Sequence, residues 1–166
     1  MNYPIFFDPT NSSNLFGLNE NLKFFSSLYK NKKLPKVLML TGNKGIGKST
    51  LVNHFLFSTF DENNYDNEKL TYNSKSNFLN QFKNNLFPNV IYFKGSDFKN
   101  TKVEDIRDLK TKIFQSIISN HERFIVFDDI ELFNINSLNA LLKILEEPTN
   151  NNHFFLINNK AKPFPE

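Results

Sequence analysis

The sequence contains no cysteine. That single absence excludes disulfide bonds, thiolate zinc sites and cysteine nucleophiles. Any metal must be held by oxygen ligands or by the three histidines, and His54, His121 and His153 share no spacing that suggests a metal site or a catalytic base. No apolar run approaches the roughly 18 residues of a membrane span, and the start, MNYPIFFDPTNSS, has neither the basic residues nor the apolar stretch of a secretory signal. The chain is expected to be soluble and cytoplasmic, with no membrane contact. Charge of one sign is scarce too: the formal net charge is +3, and arginine occurs only at Arg107 and Arg123. That balance is too mild to argue for nucleic acid by itself. Lys32, Lys33 and Lys36 accordingly read as a solvated loop ahead of a strand rather than as phosphate contacts.

Apolar residues, by contrast, are plentiful. Leu, Ile, Val and Phe fill 56 of the 166 positions, enough for a packed core. The 27 asparagines are interleaved with periodic apolar residues, so they mark a compositional habit rather than low complexity. The length suits one module, residues 1–166.

Apolar spacing predicts the elements. Leu22, Phe25, Leu28 and Tyr29 give a helix over 19–30. Val37-Leu38-Met39-Leu40-Thr41, bounded by Pro35 and Gly42, reads as a strand buried on both faces. Leu51, Val52, Phe55, Leu56 and Phe60 give a helix over 49–60. Residues 61–87 are polar and weakly patterned, an insertion with a short helix around Phe78, Leu79 and Phe82. Val90 to Phe93 is a second strand, 102–119 a helix, and Phe124 to Phe127 a third strand that ends in Asp128-Asp129. Leu138, Leu141, Leu142 and Leu145 form the buried stripe of a helix stopped by Pro148. His153 to Ile157 is a fourth strand, ending at Asn158-Asn159. Alternation at this spacing predicts an α/β fold, a parallel sheet with helices on both faces, whose ligands bind at the carboxyl ends of the strands.

Gly42-Asn43-Lys44-Gly45-Ile46-Gly47-Lys48-Ser49 fits G-x-x-x-x-G-K-[ST] between a strand and a helix, and three of the five glycines lie in it. Glycines let successive N–H groups point inward, and the helix N-terminus, where Thr50 follows, adds a favourable dipole. Lys48 would neutralise the β- and γ-phosphates of a nucleotide and the Ser49 hydroxyl would ligate Mg²⁺. Asp128, a carboxylate at a strand end, is the candidate Mg²⁺ partner through water. Hydrolysis further asks for a carboxylate just beyond it. Asp129 stands there, with Glu131 two residues on, but aspartate is one methylene shorter than glutamate. Displacement by about an ångström can cost about a hundredfold in rate, so binding is better supported than turnover. Asn158 and Asn159 would present an amide to the γ-phosphate or the attacking water, or form a simple turn.

Together these residues resemble the AAA+ ATPase module of bacterial clamp-loader subunits, most closely the delta-prime branch. Leu15-Phe16-Gly17-Leu18-Asn19-Glu20 is similar to the family's entry segment, Leu34 to Gly42 to its approach to the loop, and Val103-Glu104-Asp105-Ile106-Arg107 to a helix opening with an Ile-Arg pair. The most specific run is Asn139-Ala140-Leu141-Leu142-Lys143-Ile144-Leu145-Glu146-Glu147-Pro148. The resemblance implies a subunit of the DNA polymerase III clamp loader. It would bind ATP with Mg²⁺ and act with other clamp-loader subunits in a hetero-pentamer that loads the sliding clamp onto primed DNA. Asp128-Asp129 departs from the Asp-Glu of the family's motor subunits in the delta-prime direction, which implies weak hydrolysis or none. Residues 61–87 stand where many relatives carry a four-cysteine zinc module. The family's Ser-Arg-Cys arginine finger, lid, collar and a further strand would lie beyond Glu166. Two other readings compete: a hydrolysing AAA+ motor, of gamma/tau or helicase-loader type, and a structural module with a vestigial loop.

Overall fold

The computed structural model describes residues 11–98, 111, 113, 122–146 and 151–159. In chain order its main elements are α1 (Asn19–Lys30), β1 (Val37–Thr41), α2 (Lys48–Phe60), β2 (Tyr65–Asp66), β3 (Thr71–Tyr72) and α3 (Asn77–Lys83). They continue as β4 (Val90–Lys94), β5 (Arg123–Asp128), α4 (Ile135–Glu146) and β6 (Asn152–Asn158), with 3₁₀ turns at Gly95–Phe98 and Ile130–Leu132. The expected helix over 102–119 lies outside the described residues apart from Thr111 and Ile113, both helical. Pro148 lies outside them as well. No helix among the described residues is long and apolar enough to cross a membrane. The chain divides into two compact units, Met1–Leu34 with Gly45–Phe87, and Pro35–Lys44 with Pro88–Glu166.

The second unit is built on a four-stranded sheet in the order β1-β6-β5-β4. Every pairing in it is parallel, as an alternation of strands and helices requires. β5 and β6 lie in the middle and are buried along their whole lengths, which explains why Phe124 to Phe127 and Phe154 to Ile157 are unbroken apolar runs. β1 corrects the sequence expectation. It is at the end of the strand order, with one neighbour among the described residues, and Met39 is left 42% exposed. α4 packs Leu138, Leu141 and Ile144 into a core with Ile125, Phe127, Phe154 and Leu156. Here too the expected stripe shifts: Ile144 is buried and Leu142 exposed.

The first unit is organised by α2, whose residues Leu51 to Phe57 are all buried. Phe25 and Tyr29 of α1 meet Phe55 edge-on, with centroids 6.1 and 5.8 Å away. Residues 61–87 hold more structure than expected. β2 and β3 form an antiparallel hairpin, and the expected short helix is α3. Ser76 caps α3 by accepting the Leu79 N–H at 3.2 Å and donates its hydroxyl to the Asp61 carboxylate. Phe57 stacks on Tyr72 at 4.4 Å and meets Phe78 edge-on at 5.0 Å.

His54 is fully buried in this unit. Its Nε2 lies 2.9 Å from the Ser12 carbonyl and its Nδ1 3.0 Å from the Tyr65 hydroxyl. A carbonyl can only accept, so Nε2 carries the proton and Nδ1 accepts from Tyr65. Burial holds the imidazole below its ordinary value of 6.5, against a smaller opposing effect of the Ser12 carbonyl. The unfolded chain therefore binds a proton more readily than the folded one. The stability this site contributes is present above pH 6.5 and is lost as the pH falls below it. Urea unfolding at pH 7.5 and pH 5.5 is expected to show that loss, and His54→Gln is expected to flatten it.

Candidate functional site

Because all four strands of the sheet run the same way, their carboxyl ends fall on one edge. The register sets Thr41 beside Asn158 and Lys94 beside Asp128. At this edge the Gly42 N–H donates to the Asn158 carbonyl at 3.2 Å, so the base of the glycine-rich loop is tied to the end of β6.

Asp128 ends β5 and is buried. Its Oδ2 accepts the Tyr92 hydroxyl at 2.6 Å and its Oδ1 the Asp129 N–H at 2.9 Å. Asp129 then turns the chain in the left-handed region, at φ 53° and ψ 46°, a conformation that aspartate tolerates better than most residues. Its carboxylate accepts from the Asn159 side-chain amide, while the Asn159 N–H donates to Glu131 Oε2 at 3.1 Å. Burial raises the Asp129 carboxyl above its ordinary value, with further upward pushes from Asp128 and Glu131, against downward effects of Lys44 and the Asn159 amide. The second unit thus gathers Lys44, Asp128, Asp129, Glu131, Asn158 and Asn159.

Gly95 makes this turn fit. A Cβ placed on it would lie 2.1 Å from the Asp129 carbonyl oxygen and 3.1 Å from that of Asp128. Sequence reasoning passed over Gly95 and Tyr92, whose roles depend on strand register. At the end of strand four it offered Asn158 and Asn159 together. In the structure the Asn158 carbonyl serves the loop base, and the Asn159 amide reaches the carboxylates.

The remainder of the loop belongs to the first unit. Gly45 and Gly47 have φ of 87° and 89°, left-handed values that glycine adopts at no steric cost. Gly47 is the residue that caps α2. Lys48 opens the helix and is buried at 7% exposure, Ser49 and Thr50 are half-buried, and Ile46, Asn43 and Lys44 are exposed. Left-handed glycines ahead of a helix N-terminus are what an anion-binding loop needs. Among the described residues no three His, Cys, Asp or Glu gather as a metal cage. The Asp128 carboxylate, an oxygen donor, is of the type that suits a hard cation such as Mg²⁺.

These features define a parallel-sheet α/β protein whose first strand runs into a G-x-x-x-x-G-K-S loop and whose neighbouring strands end in carboxylate and amide. A family model described as DNA polymerase III, delta subunit, matches residues 17–165, and the chain belongs to that family. The chain is similar to DNA polymerase III subunit gamma of Buchnera aphidicola subsp. Acyrthosiphon pisum (strain APS), 27% identical over 128 residues, 77% of this chain and 34% of the relative. The same subunit from Buchnera aphidicola subsp. Schizaphis graminum (strain Sg) is 24% identical over 169 residues, 100% of this chain and 45% of the relative. The chain spans less than half the length of these curated relatives. Among solved structures, the Thermotoga maritima RuvB Holliday junction branch migration motor aligns at TM-score 0.47 and 16% identity, over 89% of this chain and 39% of its own. C. elegans PCH-2 aligns at TM-score 0.47 and 19% identity, over 98% and 43%.

Gly95 offers a direct test of the turn. The atoms that a Cβ would strike are backbone, which cannot rotate away. Gly95→Ala is expected to lower the unfolding free energy by about 1–3 kcal/mol, the range for forced overpacking, measured by urea denaturation.

Proposed function

We propose that the chain is the nucleotide-binding module of a clamp-loader subunit of DNA polymerase III, of the delta-prime type. It binds ATP with Mg²⁺, hydrolyses it weakly or not at all, and takes part with other subunits of a hetero-pentamer in loading the sliding clamp onto primed DNA. The observation that carries the nucleotide reading is the loop of residues 42–49. Its Gly45 and Gly47 take left-handed φ values immediately before α2, with Lys48 as the first residue of that helix. Family membership over residues 17–165 supports the replication context.

Within this reading the backbone N–H groups of the loop and the α2 N-terminus hold the phosphates, and Lys48 neutralises them. Ser49 supplies a hydroxyl and Asp128 a carboxylate for the cation. When bound, Mg²⁺ would neutralise charge on the phosphate oxygens. Asp129 is in the sequence position of a residue that would activate water, but it is the shorter acid and its carboxylate already accepts the Asn159 amide. That supports holding nucleotide over turning it over. A hydrolysing motor of gamma/tau type is the second reading, favoured by the two Buchnera relatives, both gamma subunits.

Calorimetric titration of the chain with ATP and Mg²⁺ tests the first reading. Binding is expected, and Lys48→Ala is expected to abolish it; a native chain that takes up no nucleotide overturns the proposal. Turnover in the assembled complex separates the two readings. Asp129→Asn is expected to leave it unchanged, whereas a drop of at least about tenfold, the size of losing a general base, would favour the motor.

A further inference from the structure

We propose that Tyr92 is a positioning residue for Asp128, holding the carboxylate in the orientation in which it serves a nucleotide-bound divalent cation. The proposal rests on the reading of Asp128 given above.

It follows from register. Lys94 of β4 is the Cα partner of Asp128, and residues opposite one another in a sheet project to the same face. Tyr92, two positions earlier, projects to that face as well. A diagonal neighbour in a sheet is beyond the reach of short side chains but within that of an aromatic one. The phenol closes the gap, and its hydroxyl donates to Asp128 Oδ2 at 2.6 Å.

The second oxygen is held independently, by the Asp129 N–H at 2.9 Å. Two donors on two oxygens fix both side-chain torsions of Asp128. The donor is also neutral. A lysine or arginine reaching the same oxygen would bring a positive charge to the place meant for a cation, and Lys94, directly across, is exposed. Tyr92 thus orients the acid without adding charge. It also explains why a hydroxyl interrupts an otherwise apolar strand, Val90-Ile91-Tyr92-Phe93.

Tyr92→Phe keeps the ring and removes one oxygen. Full-length chain and variant are titrated with ATP in EDTA and in excess Mg²⁺, with Asp128→Asn as the comparator. The quantity read is the gain in affinity on adding Mg²⁺, and the EDTA value reports the loop alone. Tyr92→Phe is expected to reduce that gain at least about tenfold, the size typical of losing a partner that orients a metal ligand. Mn²⁺ in place of Mg²⁺, followed by electron paramagnetic resonance of the bound ion, is expected to show a changed environment in the variant. If Asp128→Asn loses the gain and Tyr92→Phe keeps it, Tyr92 has no positioning role. If Asp128→Asn keeps the gain as well, the reading of Asp128 itself fails and the proposal falls with it.

Discussion

Parallel pairing is the constraint on which the acidic edge of the sheet depends. In a parallel sheet the two central strands are covered on both faces, so their interiors admit only apolar side chains, and polar groups are confined to the ends. β5 and β6 obey this closely. Phe124 to Phe127 and Phe154 to Ile157 carry no polar side chain, and the first ones that follow are Asp128 and Asn158. Since the strands share a direction, both arrive at the same edge, beside the last residue of β1. The loop that begins at Gly42 is anchored there through the Asn158 carbonyl. No side chain needs to be steered into this arrangement, because the register alone delivers it.

Three carboxylates within four residues would repel one another without compensation. Each of the three accepts from at least one neutral donor. Tyr92 and the Asp129 N–H serve Asp128, the Asn159 amide serves Asp129, and the Asn159 N–H serves Glu131. Lys44 is a cation that acts on Asp129, yet burial and the neighbouring acids outweigh it, since the Asp129 carboxyl is raised overall. Neutral donors stabilise a carboxylate without cancelling its field.

Much of this was legible in the sequence, for reasons particular to each segment. β1, the loop and the start of α2 are marked by a short apolar run, three glycines and a Lys-Ser pair, all local signals that tertiary context rarely overrides. β5 and β6 were equally plain as apolar runs ending in polar residues. What escaped depended on pairing. A two-residue strand such as β2 or β3 has no period to detect, so the hairpin was invisible. The choice between Leu142 and Ile144 for the core of α4 turns on the rotation of one helix, which a leucine-weighted pattern misjudged. Tyr92 and Gly95 matter only because β4 lies beside β5 in one register, and nothing near them in sequence announces it. Asn158 and Asn159 differ by one position at a strand end, where successive side chains point to opposite faces, and the apolar pattern does not say which of them meets the acids.

Residues 61–87 show how a polar, cysteine-free stretch is held without covalent or metal cross-links. Phe57 supplies the anchor, buried in α2 and in contact with both Tyr72 of β3 and Phe78 of α3. Phe78 carries the packing onward to Phe82, stacked at 5.9 Å, and to Phe87, edge-on at 4.8 Å. Aromatic pairs contribute about 0.5–1.5 kcal/mol each beyond the area they bury, and these four share two rings, so losing either Phe57 or Phe78 removes several at once. The polar half is tied separately, by Asp61 accepting from Ser76 at the foot of α3 and from the Asn64 amide at 2.9 Å. The rings hold the apolar side of the segment, and side-chain amides with one aspartate hold its polar side.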